Sequence, residues 1–123
     1  MFIKKIYDFD EDSGEAYLIV SDGTYDILCF CALYQNELQM LPAIEEVRTF
    51  LCDSIIKSDV EKYLIVKKND YYSYHLQGKV LDIDKNIVSV GDIIIKLDTP
   101  IPKDIKNSEY IEFNVFRLDC SIL

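Results

Sequence analysis

The chain has no tryptophan, four glycines, three prolines, one histidine and, among its thirteen basic residues, two arginines (Arg48 and Arg117). So little glycine and proline excludes a collagenous or low-complexity chain. A hydrophobic fraction of 50% beside 28% charge excludes a disordered one. No apolar run approaches the ~18 residues that a helical membrane span needs. The start, Met1-Phe2-Ile3-Lys4-Lys5-Ile6-Tyr7-Asp8, lacks the long apolar stretch of a signal peptide. The expectation is a cytoplasmic chain with no membrane association.

A single histidine makes every catalytic-triad or zinc-hydrolase reading depend on His75. There is no Gly-x-Ser-x-Gly elbow and no glycine-rich phosphate loop, and neither Cys52 nor Cys120 has a visible link to His75. The sequence therefore points to a non-enzymatic protein, with no catalytic residue, metal or cofactor.

What is present is acid. Twenty-two acidic residues against thirteen basic ones give a net charge of −9. The first sixty residues hold most of the excess. Such a field repels phosphate backbones and anionic lipid, which argues against nucleic acid and membranes as partners. It suits solubility, or a basic protein partner.

The run Asp8-Phe9-Asp10-Glu11-Asp12-Ser13-Gly14-Glu15 looks like a calcium ligand string. As an EF-hand loop it fails where glycine and the bidentate glutamate belong, because Ser13 and Ile19 stand there. It reads as a solvated acidic turn. The cysteines Cys29, Cys31, Cys52 and Cys120 do not have zinc-ligand spacing. Cys29 and Cys31 alternate in an apolar run, as packing residues do.

A mass of 14.3 kDa implies ~6,800 Å² of folded surface against ~20,700 Å² extended, enough burial for one domain over residues 1–123. The clearest local signal is residues 15–34, two alternating runs about Asp22-Gly23. A two-residue type I′ turn there pairs Ser21 with Thr24, Val20 with Tyr25, Leu18 with Ile27 and Ala16 with Cys29. One face then holds Ala16, Leu18, Val20, Tyr25, Ile27, Cys29, Cys31 and Leu33, the core face. The other holds Glu15, Tyr17, Ile19, Asp26, Leu28 and Phe30, a mixed face that something must partly cover.

Further strands are expected over 2–9, 63–68, 71–84, 87–97 and 110–118. Gly78 and Gly91 mark bends, and Thr99-Pro100-Ile101-Pro102 lies outside any central strand. Leu81 and Ile83 point inward, with Asp82 and Asp84 outward beside a turn. Residues 42–56 place Leu41, Ile44, Val47, Leu51 and Ile55 at helical spacing. Their β-branched content and missing N-cap favour a strand.

Short strands and at most one helix describe an all-β domain: a small OB-like antiparallel barrel with additional strands, or alternatively a two-sheet sandwich. No family resemblance is carried by these residues.

Nine tyrosines are many for this length, and Tyr71, Tyr72 and Tyr74 crowd one stretch with His75. Tyrosine buries area while keeping a wet hydroxyl, so it suits interfaces. The candidate interaction surface is Tyr17, Leu28 and Phe30 with Tyr71, Tyr72, Tyr74 and His75. The expected function is binding another protein or self-association, as in an acidic inhibitor or immunity-type protein shielding a basic partner. The alternative is an OB-like barrel that stacks single-stranded nucleic acid or a small ligand on its tyrosines. Arg117, followed by Leu118-Asp119, asks for a carboxylate partner.

Overall fold

The structure is a computed structural model that describes residues 1–32, 44–68 and 72–122, with only the backbone of Glu45, Ser121 and Ile122. Leu33, Tyr71 and the turn expected at Asn69-Asp70 lie outside the described residues. Those described form nine strands and no helix: β1 (Phe2–Tyr7), β2 (Ala16–Ser21), β3 (Asp26–Cys31), β4 (Ile44–Lys57), β5 (Leu64–Lys67), β6 (Tyr74–Asp82), β7 (Ile87–Val90), β8 (Ile93–Lys96) and β9 (Tyr110–Ile122). None of it could cross a membrane as a long apolar helix.

Five strands close on themselves in the order β4-β9-β6-β7-β8, β8 returning to β4. An OB barrel pairs its first strand with its second and fourth, and lays its fifth parallel to its third. Counting from β6, with β4 in fifth place, gives those neighbours, and β4–β8 is the parallel pair. The fold is thus an OB-like barrel whose chain opens at a different point. It is not wholly antiparallel, because β3 also meets β9 in parallel, through Phe30 and Asp119. The additional strands are β1-β2-β3, an antiparallel meander, and β5, which lengthens the sheet beyond β6.

The hairpin β2–β3 forms as the alternation requires, with Val20 and Ile27 fully buried together. Its register differs from expectation. Ala16 pairs with Cys31, Leu18 with Cys29, Val20 with Ile27 and Ser21 with Asp26, leaving a four-residue loop. Asp22 is the reason. Its Oδ1 accepts from the N–H of Thr24 (2.8 Å) and Tyr25 (2.7 Å), while Ser21 Oγ accepts from Gly23 N–H (3.0 Å). Among the loop residues only Gly23 has positive φ, so a type I′ turn, which needs two, does not form. A shift of two residues preserves the faces. The loop then docks on the barrel through Asp22 Oδ2, which accepts from Asp92 N–H (2.8 Å).

β4 explains its own ambiguity. Its inward residues are Ile44, Val47, Thr49, Cys52 and Ile55, mostly three apart. A plain strand advances by two. The extra residues are taken up by a register slip after Ile44 and by Leu51 (φ 55°) and Ser54 (φ 57°) in left-handed conformation. Steps of three imitate a helix, although the segment is a strand throughout.

Two other expectations change. Gly91 does not bend one long strand but turns β7 into β8 (φ 62°). Leu81 points outward, because the β6–β7 ladder slips between Val80 and Asp82. Asp82 Oδ1 instead accepts from the N–H of Asp84 (3.0 Å) and Lys85 (3.2 Å), which closes the turn.

The barrel interior is filled by Leu76, Val88, Ile93, Ile95, Ile111, Phe113 and their neighbours. The β8–β9 connection adds the buried Ile101 and Ile105, and the inward face of β2–β3 joins the same core. Gly78 is required where β6 passes β7. A Cβ there would strike the Ser89 carbonyl oxygen and crowd the Val88 and Val90 side chains. Gly78→Ala is expected to cost about 1–3 kcal/mol through this overpacking. It should lower the urea midpoint at unchanged slope. An unchanged midpoint would show that the two strands are not held this closely.

Candidate interaction surface

The register places one residue from each of several strands in a transverse row on the outer face. Tyr7 pairs with Tyr17, Tyr17 with Phe30 and Phe30 with Asp119; Arg117 and Phe50 pair in the neighbouring row, two residues before Asp119 on β9. The side chains join into a chain of contacts. Tyr17 stacks on Tyr72 (centroids 4.7 Å apart, planes at 10°) and tilts against Phe30 (5.4 Å). The Arg117 guanidinium lies over both Phe30 (4.5 Å) and Phe50 (4.7 Å), and Phe50 meets Phe116 edge-on (6.1 Å). At the other end Lys5 Nζ sits 4.6 Å over the Tyr7 ring. Each aromatic pair is worth about 0.5–1.5 kcal/mol beyond its buried area.

Arg117 finds its carboxylate two residues away. Its Nε donates to Asp119 Oδ1 (2.6 Å) and an Nη to Oδ2 (3.2 Å), which fixes the guanidinium plane between the rings. Burial, and then a hydrogen bond with Tyr72, pushes the Tyr17 hydroxyl up to about 12, so Tyr17 is neutral across the physiological range.

Of the residues singled out from sequence, Tyr17, Phe30 and Tyr72 come together here. Two do not belong to a surface. Leu28 is buried, and so is Tyr74, whose hydroxyl accepts from Leu28 N–H (2.9 Å). The mixed face of the first hairpin is therefore covered at Leu28 from within the chain. Burial, the larger effect, raises the Tyr74 hydroxyl against that hydrogen bond.

His75 stands apart in the β6–β9 seam. Its Nδ1 is 2.9 Å from Asn114 Oδ1 and its Nε2 3.0 Å from Glu112 Oε1. Both ring nitrogens are thus engaged by side chains of β9. Among the described residues no three His, Cys, Asp or Glu side chains form a group that could hold a metal ion. The four cysteines are buried and none is in a disulfide, and burial pushes the Cys52 thiol up to about 12. In the acidic loop, Asp10 Oδ1 accepts from Asp12 N–H (2.9 Å) and the Asp10 carbonyl from Gly14 N–H (2.9 Å), a self-contained turn.

Sequence reasoning missed Tyr7, Phe50, Leu51 and Phe116. Phe50-Leu51 and Phe116-Arg117 are each two consecutive outward residues, between inward Thr49 and Cys52 and between inward Val115 and Leu118. Both strands lengthen together, so the ladder keeps its register across the site. Asp98, just past β8, holds the β4 side. It accepts from Thr49 Oγ1 (2.7 Å), Leu51 N–H (2.9 Å) and Cys52 N–H (3.0 Å), and its own N–H donates to Thr49 Oγ1 (2.9 Å).

OB barrels bind ligands on the face of their second and third strands. The corresponding strands here are β7 and β8, whose outer face carries Ile87, Ser89, Ile94 and Lys96, with a groove of about 290 Å³ beside Glu46. The aromatic row lies elsewhere. No family model, curated protein or solved structure matches the chain. The fold alone defines its class: a closed five-stranded OB-like barrel with additional strands.

The Asp98 clamp has a pH signature. Desolvation disfavours its charge, but the bonds from Thr49, Cys52, Leu51 and its own N–H outweigh this and hold its pKa below the ordinary value. A lowered folded pKa contributes stability that is complete above the unfolded value of ~3.9 and is lost as pH falls through the folded one. Urea titrations of wild type and Asp98→Asn are expected to differ most above pH ~4 and to converge at lower pH. A gap independent of pH would remove the charge from the clamp.

Proposed function

We propose that the chain is a non-enzymatic binding module whose Tyr7–Tyr17–Tyr72–Phe30 end receives a basic segment of a protein partner, in the manner of an acidic inhibitor or immunity-type protein. The observation that carries this reading is the adjacency of the aromatic row to the acidic loop. Tyr7 ends β1 and Ala16-Tyr17 begins β2, so the loop bearing Asp8, Asp10, Glu11, Asp12 and Glu15 leaves the sheet directly beside the rings. Aromatic groups with a polar tip are the usual anchors of protein interfaces, and an acidic rim steers a basic partner toward them. The runner-up, stacking of single-stranded nucleic acid, would have to overcome a net charge of −9. It also lacks rings on the β7–β8 face.

Selection of displayed random peptides against the immobilised full chain tests the proposal. The enriched sequences are expected to carry Lys or Arg beside aromatic or aliphatic residues. A synthetic representative should lose about tenfold or more in affinity to Tyr7→Ser and to the charge reversal Glu11→Lys, both exposed positions, and bind more weakly as salt rises. Enrichment of acidic sequences, or peptides indifferent to both variants, would overturn it.

A further inference from the structure

The other end of the row has a different character. Phe50, Leu51, Ile56 and Phe116 account for four of the nine large hydrophobics exposed among the described residues, and all lie on the outer side of β4 and β9. Leu51 is the most exposed of the nine, at 59%, and is also left-handed (φ 55°). A leucine there bears a backbone cost and a solvation cost together, and Asp98 holds it in place. Taking ~170–200 Å² for each fully exposed side chain, the four leave roughly 350–400 Å² of apolar surface in water. That is patch-sized for a monomer and about half of the ~800 Å² one partner gives to a standard interface.

The charged groups on this face are engaged within the chain: Arg117 with Asp119, Arg48 with Glu46 and Lys57 with Glu109 as ion pairs, and Glu112 at hydrogen-bond distance from His75 Nε2. Two are not. Asp53 and Lys68 line one groove of about 270 Å³ with Leu51, Ser73, Asn114 and Phe116, and neither side chain makes an ion pair or hydrogen bond among the described residues. Five acidic residues and no basic one lie on loop 8–15, between β1 and β2 at the other end of the row. A basic partner would find little net charge here. A two-fold contact needs a self-complementary patch, in which each residue meets its counterpart's opposite. An apolar centre with one unmatched anion and one unmatched cation in the same groove has that property.

We propose that this face binds a second copy of the chain across a two-fold axis, Leu51 and Phe116 packing at the centre and Asp53 of each copy facing Lys68 of the other. The proposal is independent of the basic-partner reading, which uses the opposite end of the row. Sedimentation equilibrium of the full chain from low-micromolar to near-millimolar concentration should show the mass rising from one chain to two. Leu51→Asp should remain a single chain throughout. Aspartate accepts left-handed backbone better than leucine, so its circular dichroism should remain that of the folded wild type. Asp53→Lys and Lys68→Asp should each weaken association about tenfold or more, and the two together should restore it. A chain that stays single at every concentration, a dimer that survives Leu51→Asp, or a double reversal no better than the single ones would each overturn the proposal.

Discussion

β9 has two edges and three partners, and the rest of the structure follows from how it shares them. One edge is taken by β4 along almost its whole length. The other pairs with β6 from Tyr110 to Val115, then is free of β6 and meets β3 at Asp119. Between Val115 and Asp119 the ladder changes hands, and backbone groups there lose a strand partner inside a largely apolar structure. Such groups are costly unless satisfied. Two side chains at the entry to β6, from Ser73 just before it and Tyr74 at its first position, serve the gap. Ser73 Oγ donates to the Phe116 carbonyl (3.0 Å), and the Tyr74 hydroxyl accepts from Leu28 N–H. The barrel can therefore close through β6 while the meander attaches through β3.

The handover also shapes the surface. Where β9 changes partner it turns two consecutive residues outward, and β4 does the same opposite it. Asp98 offers both carboxylate oxygens to the donors of that irregular stretch, a charge-assisted arrangement that offsets the cost of a left-handed leucine. The outward quartet Phe50, Leu51, Phe116 and Arg117 is thus a consequence of strand sharing. Arg117 then joins it to the meander, with its guanidinium lying over a ring from β3 and a ring from β4. One site of partner exchange produces both an apolar knuckle and the link that continues the aromatic row to β1.

This explains how much of the site could be read in advance. Tyr17 and Phe30 were visible because the hairpin alternation is local, and a register slip of two leaves faces unchanged. Tyr72 was visible as part of a tyrosine cluster, although its stacking on Tyr17 depends on the meander folding back toward β6. Leu28 and Tyr74 were misplaced for one reason: each is covered by the other's element, a contact between residues forty-six apart. Leu51 and Phe116 were invisible as surface residues, because strand periodicity assigns large apolar side chains to the core. Only the paired lengthening of β4 and β9 reverses that.

The amino-acid order by itself determined the all-β class, the first hairpin with its buried face, the exclusion of Pro100 and Pro102 from any central strand, and the acidic character of the chain. These rest on near-neighbour chemistry: the two-residue alternation of strands, the missing N–H of proline, the sum of charges. Only the tertiary structure decided that β4 advances by threes, that the loop at Asp22 is four residues long, which strands close the barrel, and which aromatic rings touch. Those outcomes depend on donors and acceptors brought from distant parts of the chain, Asp98 to Leu51 and Asp92 to Asp22 among them. No local pattern encodes a hydrogen bond whose partner lies forty-seven or seventy residues away.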